Sequence, residues 1–302
     1  MYKDKTSLTQ FEKVFQNPGY VKVYDKLDVN YQGLYSRSAL SLAKQAKVQA
    51  GSTVLELGAG TGFATKVLNN LVGLNGKVIA TEISPAMIKY LKRKFFNQSN
   101  IEIFQLDVKE LKEFLDKHFL KGKLDVVFGN FIYYYLYKYE REWFESAYQA
   151  LKDNGRLAFN ITNFLSEFTY RGKVYNNFLQ LMKLEFEILL KESGFAGGLG
   201  KRVGKEFIKE ESLNKIRESL HQVGFRKISI SPFSLPVRPS QALKFMIEGF
   251  YRFGSSVSWS TTLADLQLKK RVKILENGLK RVASKIDSTK DNSTIMNFVA
   301  SK

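Results

Sequence analysis

The chain of 302 residues contains no cysteine and only two histidines, His118 and His221. Without cysteine there is no disulfide, no thiolate-bound metal and no covalent attack through a cysteine sulfur. Two histidines do not make a histidine-rich metal site, so we expect no bound metal. Both lie in segments that read as surface-facing helices, and we therefore expect structural or solvated roles for them rather than catalytic ones.

Long apolar runs are also missing. No stretch approaches the ~20 apolar residues that a membrane-spanning helix needs, and the first residues, Met1 to Lys5, have no apolar signal core behind them. The sequence therefore predicts a cytoplasmic protein without a transmembrane segment. With 44% hydrophobic residues, the chain is able to bury one large core with an appended helical portion.

Acidic residues are too few to balance the basic ones, and the formal net charge is +18. Most of the excess lies in residues 163–302. Such a surface attracts nucleic acid, acidic small molecules, an acidic partner or anionic lipid. A Lys-rich solvated surface explains the same composition, because no block of five like charges occurs.

Glycine is concentrated where the first buried strand ends. The apolar run Val54–Leu57 contains Glu56 and leads directly into Gly58–Gly62, which has the spacing G-x-G-x-G. Glycines permit a sharp turn into the next helix and leave the backbone open to a ligand. A nicotinamide site needs G-x-G-x-x-G, and Phe63 occupies the position of its third glycine. The loop therefore indicates a nucleotide-like ligand other than a nicotinamide.

Strand and helix patterns alternate from Val54 to Thr162, as in a parallel sheet covered by helices. The predicted strands after the first are Lys77–Thr81, Ile101–Leu106, Leu124–Gly129 and Arg156–Ile161, the last entered through the turn Asp153-Asn154-Gly155. Predicted helices include Leu40–Val48, Lys138–Leu151 and Lys209–Val223. Because ligands bind beyond the carboxyl ends of parallel strands, we expect a site at Gly58–Gly62, Glu82, Asp107 and Asn130.

With these residues in place, the sequence over roughly 45–165 resembles the class I S-adenosylmethionine-dependent methyltransferases, whose first motif is an acid followed by G-x-G-x-G. The resemblance implies an α/β fold: a Rossmann-like, seven-stranded, mostly parallel sheet with helices on both faces and a helical lid from two insertions. It also implies S-adenosyl-L-methionine as cofactor and S-adenosyl-L-homocysteine as product. The implied cofactor-binding residues are Glu56, Gly58, Ala59, Gly60, Thr61, Gly62, Glu82, Ile83, Met87, Asp107, Val108, Asn130 and Phe131.

The resemblance assigns each of these positions a role. The glycine loop would hold the carboxylate of the cofactor, and Glu56 or the backbone at Asn130 would meet its ammonium. Glu82 would accept both ribose hydroxyls, and Asp107 would accept from the adenine amine. Ile83, Met87 and Val108, with Leu106, would form the apolar walls.

The remaining segments are predicted to complete the sheet and to cover the site. Phe225–Ser231 reads as the sixth strand, and Thr294–Ala300 resembles the antiparallel seventh strand of the family. The predicted organisation is a helical cap over 1–47, a cofactor-binding core over 48–162, a lid insertion over 163–206, core-completing segments over 207–231 and 293–302, and a second helical lid over 232–292.

Apolar spacing supports helices in both lid insertions. The first stripe is Phe178, Leu181, Met182, Glu185 and Leu189, and the second is Leu268, Val272, Leu275, Leu279, Val282 and Ile286. The second stripe also fits a dimer seam, so both a monomer and a homodimer stay open. Basic candidates for the entrance of the pocket are Arg171, Lys173, Lys201, Arg202, Lys205, Arg238 and Arg252, and they favour an anionic substrate.

Aromatic residues are candidates for the substrate side. Tyr24 and Tyr31 resemble the positions that close the pocket in small-molecule methyltransferases, although helix packing explains them equally well. Tyr133 and Tyr134 follow the fourth strand, where they would line the substrate pocket, and they are candidate catalytic groups by position alone. No general base is otherwise identifiable.

These observations favour a methyltransferase that acts on a small or carrier-bound metabolite with anionic character, by in-line methyl transfer. An RNA methyltransferase is the first alternative, because the chain is basic. Against it, Gly129-Asn130-Phe131-Ile132 lacks the prolines of the amino-base enzymes, and a cysteine nucleophile for base C5 chemistry is absent. The second alternative is a catalytically inactive protein that binds the cofactor or a partner.

Overall fold

The structure is a computed structural model of the chain. It describes residues 14–30, 33–163, 168–170, 173–175, 188, 191–192, 210–236, 240–241, 244, 247–248, 267–286 and 292–302.

A seven-stranded sheet organises the described part of the chain, with the strand order β3-β2-β1-β4-β5-β9-β8. The strands are β1 (Thr53–Leu57), β2 (Lys77–Glu82), β3 (Ile101–Gln105), β4 (Leu124–Gly129), β5 (Leu151–Asn163), β6 (Phe168–Tyr170), β7 (Lys173–Tyr175), β8 (Arg226–Pro236) and β9 (Asn292–Ser301). The strands β6 and β7 form a separate antiparallel pair.

The strand directions confirm the predicted mostly parallel sheet. The strands β1 to β5 pair in parallel, and β9 pairs antiparallel with β5. The order changes direction at β1, with β2 on one side and β4 on the other. This switch point brings the carboxyl ends of the four predicted site strands to one edge.

The strands β5 and β8 are longer than the sequence predicted. The strand β5 begins at Leu151 and includes the predicted turn Asp153-Asn154-Gly155, because the chain forms a bulge there rather than leaving the sheet. The register shifts between Leu124 and Val126 of β4, and Asn154 adopts a positive φ of 64°. The strand β8 continues to Pro236 instead of ending at Ser231.

The helices follow the strands at the expected places. They are α1 (Pro18–Tyr24), α2 (Leu27–Asn30), α3 (Leu34–Gln45), α4 (Phe63–Val72), α5 (Pro85–Lys94), α6 (Leu111–Lys117), α7 (Tyr133–Leu136), α8 (Glu140–Ala150), α9 (Glu210–Val223) and α10 (Leu268–Ile286), with 3₁₀ turns at Val108–Glu110 and Tyr137–Tyr139.

The prediction of a helix over Leu40–Val48 was wrong in its limits. Helix α3 starts six residues earlier because Gly33, with φ +77°, forms its left-handed N-cap. Its first buried side chain is Ser38, a polar residue that an apolar pattern does not reveal. The helix ends before Lys47, which itself has φ +55°.

Side chains alternate between two cores on opposite faces of the sheet. On one face, Val54 and Val126 pack with apolar residues of α3, α4 and α5. On the other face, Leu55 and Val127 pack with apolar residues of α6, α8 and α9. Burial of both faces stabilises the sheet and explains why its parallel strands are continuously apolar.

The contacts divide the chain into two units. One consists of Gln32–Asn163, Phe207–Leu235 and Thr294–Lys302, and contains the seven-stranded sheet. The other consists of Met1–Tyr31, Phe164–Glu206 and Pro236–Ser293, and contains α1, α2, the β6–β7 pair and α10.

The predicted lid insertions are only partly described. The first contains the β6–β7 hairpin, so the expectation of helix alone is corrected there: β-favouring residues flank Arg171-Gly172 on both sides. Its predicted helical stripe, Phe178 to Leu189, lies outside the described residues. In the second insertion, α10 is a helix over the predicted stripe. The lid itself stays a prediction. Within the described segments, no helix has the length and apolar character needed to cross a membrane.

Candidate functional site

The candidate site starts at the glycine loop after β1. Gly58, Gly60 and Gly62 all adopt positive φ angles, of 72°, 57° and 88°. A Cβ atom on Gly58 would lie 2.5 Å from Cδ1 of Ile132, and one on Gly62 would lie 2.5 Å from Cε2 of Phe95. The loop therefore requires glycine for its backbone angles and, at these two positions, for space.

Three amides of this loop already donate within the protein. The Ala59 amide donates to the carbonyl of Thr81, and the Gly62 amide donates to the carbonyl of Ala59. The Gly60 amide donates to Oε2 of Glu82 at 2.9 Å. These bonds fix the shape of the loop. They also leave fewer of its amides able to donate to a ligand carboxylate than the sequence predicted.

Glu82, at the end of β2, has both carboxylate oxygens oriented by backbone amides. Its Oε1 accepts from the Ser84 amide at 2.9 Å, while Oε2 accepts from Gly60. Burial raises the pKa of this carboxyl, and the two amide bonds oppose that rise. Because each carboxylate oxygen is able to accept a second hydrogen bond, the predicted ribose contact is still available.

Glu56 lies beneath the loop with 1% of its surface exposed. Its Oε2 accepts from the Thr65 hydroxyl at 2.6 Å, which ties β1 to α4. Burial raises the pKa of Glu56 to about 8, and the nearby Glu82 carboxylate adds to the rise. Glu56 therefore supports the loop from below, and the ionisation of its carboxyl would respond to a charged group above the loop.

The hydroxyl of Thr61 is buried and has no hydrogen-bond partner among the described residues. The carbonyl of the same residue accepts from Nζ of Lys94 at 2.9 Å. Buried hydroxyls are nearly always paired, so an unpartnered one in a glycine loop is suited to a polar ligand atom.

The predicted apolar walls differ in accessibility. Ile83, directly after Glu82, is 42% exposed, which is high for an isoleucine beside a buried acid. Met87 is 1% exposed and belongs to the packed face of α5, so it is not accessible as a wall in this structure. Asp107 caps the 3₁₀ turn that contains Val108, through Oδ1 and the Lys109 amide at 3.1 Å.

A network of amide side chains fixes the turn after β4. Nδ2 of Asn160 donates to Oδ1 of Asn130 at 2.6 Å. Oδ1 of Asn160 accepts from the backbone amide of Phe131 at 2.7 Å. This second bond holds Phe131 at φ +60°, an unusual angle for an aromatic residue. Oδ1 of Asn130 also accepts from Ser38, and its Nδ2 donates to the Tyr35 carbonyl. Sequence reasoning missed Asn160, which lies inside an otherwise apolar strand. A polar residue within such a strand was the signal that could have identified it.

The N-terminal aromatic residue in contact with the loop region is Tyr35. Its ring stacks on Phe63 at 5.5 Å between centroids and meets Phe131 edge-on at 5.1 Å. The sequence prediction named Tyr24 and Tyr31 instead. Tyr24 lies in α1 and contacts Tyr20 and Phe15, and Tyr31 lies outside the described residues. The wrong start of α3 hid Tyr35, which sits in the first turn of that helix.

Tyr133 is placed as a core residue rather than as a catalytic base. It is 8% exposed, its ring stacks on Phe159, and its hydroxyl donates to the Glu140 carboxylate. Burial and the adjacent Glu140 carboxylate raise the pKa of the phenol far above its usual range, so it stays protonated. Tyr134 lies in the same short helix, α7, and its side chain is outside the described part.

The two histidines make contacts within the sheet-containing unit. The His118 ring packs against Phe104 and Phe114, and Nδ1 of His221 lies 3.1 Å from the Phe225 carbonyl. Of the basic residues proposed for the pocket entrance, Lys173 lies in β7. The other six, Arg171, Lys201, Arg202, Lys205, Arg238 and Arg252, lie outside the described residues.

Comparison with known proteins locates the recognisable part of the chain. Residues 55–157 match the family described as "Methyltransferase domain". An ornithine lipid N-methyltransferase of Singulisphaera acidiphila is 31% identical over 102 residues, which are 34% of this chain and 53% of that protein. A ubiquinone/menaquinone biosynthesis C-methyltransferase of Pseudomonas fluorescens is 34% identical over 98 residues, 32% of this chain and 37% of that protein. The chain thus matches about half or less of these relatives.

Among solved structures, a phosphoethanolamine N-methyltransferase of Haemonchus contortus has a TM-score of 0.57 and 15% sequence identity. The likeness covers 98% of this chain and 60% of that protein, which was solved with phosphomonomethylethanolamine and S-adenosylhomocysteine. At this identity the likeness shows the fold. The family match over residues 55–157 contains the glycine loop, Glu82, Asp107 and Asn130. It therefore includes the residues of the candidate site described above.

Proposed function

The chain carries a class I S-adenosylmethionine-dependent methyltransferase domain over residues 55–157, and on that premise we propose that the protein transfers a methyl group to a small or carrier-bound metabolite. The observation that carries the proposal is the bond between the Gly60 amide and Glu82, which joins the glycine loop to the acid at the end of β2. Both elements lie at the switch point of the sheet, where a nucleotide-like ligand binds.

The residues at this edge fit S-adenosylmethionine. The buried Thr61 hydroxyl, unpartnered among the described residues, offers a hydrogen bond to a polar group over the loop. Glu82 offers two oriented oxygens for vicinal hydroxyls, and the exposed Ile83 offers an apolar surface beside them. Asp107 stands at the end of the neighbouring β3, where it is suited to an amino group of adenine.

The described residues of the site contribute position. When bound, S-adenosylmethionine supplies an electrophilic methyl group on a sulfonium. The network of Asn160, Asn130 and Phe131 fixes the turn after β4, and the Tyr35 and Phe131 rings pack against each other there. Fixed geometry and exclusion of water lower the barrier for an in-line transfer without a proton-transferring group. This agrees with the placement of Tyr133 in the core.

A small-molecule acceptor, possessing either a lipid or a phosphate group, is the substrate class that we infer. The relatives act on an ornithine lipid and in quinone biosynthesis, and the structural neighbour was solved with a phosphorylated amine. The net charge of +18 supports an anionic group on the acceptor. The matched segment covers the donor-binding part, so the acceptor is inferred from these relatives and from charge alone.

The test has two stages. Isothermal titration calorimetry with S-adenosylhomocysteine measures donor binding, and we expect saturable binding that Glu82→Gln weakens. Radiolabelled methyl transfer from S-adenosylmethionine is then followed into a lipid extract and into a water-soluble metabolite extract, with Glu82→Gln as control.

The outcomes separate the candidate functions. Labelled product in either extract supports the proposal and identifies the acceptor fraction. Donor binding without transfer to either extract, or to total RNA, would favour a protein that binds the cofactor without catalysis. Transfer to RNA alone would favour an RNA methyltransferase, and absence of donor binding would contradict every form of the proposal.

A further inference from the structure

A polar cleft lies at the edge of the sheet opposite to the glycine loop. It has a volume of about 460 Å³ and falls within the unit that contains the sheet. Arg156, one of its lining residues, pairs with Ser301 where β9 ends, and β5 is parallel to β4. The cleft therefore stands at the amino ends of the parallel strands, whereas the candidate methyl-donor site stands at their carboxyl ends.

The cleft gathers positive charge. Lys47, Arg156, Arg226 and Lys227 line it, together with neutral polar residues that include Asn154. Among the described residues that line it, none is an aspartate or a glutamate. Four cations at one concave surface raise the local potential and attract anions, because a bound negative charge reduces their mutual repulsion.

Among the described residues, these four cations have no partner that neutralises them. Within the described chain, no salt bridge or side-chain hydrogen bond involves Lys47, Arg156, Arg226 or Lys227. A fifth lining cation, Lys302, is different: its ammonium donates to the Leu151 carbonyl at 2.9 Å and lies 4.8 Å from the Tyr148 ring. The structure thus uses Lys302 internally and leaves the other four available to a ligand.

Unusual backbone geometry is concentrated around the same cleft. Lys47, Asn154 and Lys227 have φ angles of 55°, 64° and 45°, and the described chain has only two other non-glycine residues with positive φ. Such angles cost free energy for residues other than glycine and persist where surrounding contacts impose them. Each angle belongs to a local turn: Lys47 follows the end of α3, Asn154 lies in the bulge of β5, and Lys227 lies at the start of β8. The three turns bring these lining residues to one surface.

We propose that this cleft binds the phosphate group of a small anionic ligand. Arginine forms paired hydrogen bonds with phosphate oxygens, lysine adds point charges, and the side chains of Asn154 and Ser229 supply further hydrogen bonds. The volume suits a small molecule or a lipid headgroup. The site is separate from the methyl-donor site and does not rest on the proposed function.

The test uses inorganic pyrophosphate as the probe, titrated into the full chain by calorimetry at low salt. The variant is Arg226→Gln combined with Lys227→Gln, two exposed residues at the start of β8. The matched control combines Lys121→Gln with Lys123→Gln, which removes the same charge from exposed positions before β4 that do not line the cleft. Thermal unfolding of both variants checks that they fold.

We expect the cleft variant to weaken pyrophosphate binding by about tenfold or more, and the control variant to leave it within about twofold. A second arm measures sedimentation with vesicles of phosphatidylglycerol and of phosphatidylcholine. Binding to pyrophosphate assigns the phosphate to a soluble ligand. Binding only to phosphatidylglycerol, lost in the cleft variant, assigns it to a lipid headgroup. No binding in either arm, or equal weakening in both variants, would overturn the proposal.

Discussion

The backbone amide of Gly60 donates a hydrogen bond of 2.9 Å to the side-chain carboxylate of Glu82. The bond crosses from the loop after β1 to the end of β2, and so it couples two motifs that are separate in the sequence. It places an acid that is suited to ribose hydroxyls beside the glycine loop. We therefore propose that the two motifs act as one binding element.

Glu82→Gln tests this element directly. The amide keeps the shape of the side chain but replaces one acceptor oxygen with a donor, so it opposes either the Gly60 or the Ser84 amide and loses the charge. A charge-assisted hydrogen bond contributes ~1.5–3 kcal/mol, and we expect roughly 10- to 100-fold weaker binding of S-adenosylhomocysteine by calorimetry. Glu102→Gln is the matched control, because Glu102 lies on β3 in an exposed salt bridge with Lys77. Equal affinities for the two variants would contradict the assignment.

The sequence predicted for a physical reason that these residues lie at one edge of the sheet. Acids and glycines that interrupt apolar strands stand out in a pattern, and parallel strands bring their carboxyl ends to one edge. The sequence pattern did not reveal that amides of the glycine loop donate hydrogen bonds within the protein. The amides of Ala59, Gly60 and Gly62 look available in a sequence, whereas in the fold they donate to Thr81, Glu82 and Ala59.

Gly62→Ala tests why the loop requires glycine. At φ +88°, an added Cβ would lie 2.5 Å from the buried ring of Phe95. Gly51 separates the two causes, since it has φ +83° but no atom within 4 Å of an added Cβ. Gly51→Ala should lose ~1–2 kcal/mol of stability through backbone strain, and Gly62→Ala should lose a further ~1–3 kcal/mol through crowding. Urea unfolding measures both. Equal losses would show that Phe95 gives way at no cost.

The turn after β4 was harder to predict from sequence. Asn130 was recognised because it ends a strand, but Asn160 is thirty residues away and belongs to a buried strand. Tyr35 was missed because the helix that carries it begins on a left-handed glycine and has a serine at its first buried position. Asn160 and Ser38 are both polar residues in the interior, whose hydrogen-bond partners come together only in the folded chain.

Asn160→Ala tests the role of that turn. The substitution leaves the Phe131 amide without its acceptor, whereas Oδ1 of Asn130 keeps its hydrogen bond from the Ser38 hydroxyl. Phe131 meanwhile keeps a φ of +60°. A polar group left unpaired costs ~1–3 kcal/mol, so we expect a loss of about 1–3 kcal/mol in urea unfolding. Asn297→Ala is the control, because Asn297 lies directly opposite on β9 and is equally buried. Within the described residues its side chain makes one hydrogen bond, to Ser41, which is 3.2 Å long, so a smaller loss is expected. A smaller loss for Asn160→Ala than for this control would contradict the assigned role.

Glu56 should make stability depend on pH. Burial raises its pKa in the folded protein to about 8, from an ordinary value of 4.5. The favourable contribution of the protonated carboxyl is fully present below about pH 4.5 and is lost as the pH rises to about 8, because only the unfolded state ionises in that window. The pKa difference corresponds to roughly 5 kcal/mol as an order of magnitude. Above about pH 8 both states are ionised, and the contribution stays constant.

Glu56→Gln checks this expectation, because the variant resembles the protonated side chain at every pH. Urea unfolding between pH 5 and pH 9 should show the stability of the variant rising relative to that of the natural protein as the pH increases. The exposed Glu102→Gln serves as the control for the change of Glu to Gln itself. A cationic ligand above the loop would also favour ionised Glu56, so binding of S-adenosylmethionine at pH 7 should release protons in calorimetry with buffers of different ionisation enthalpy. Proton release that persists in Glu56→Gln would assign the titration to Glu82, whose pKa burial also raises.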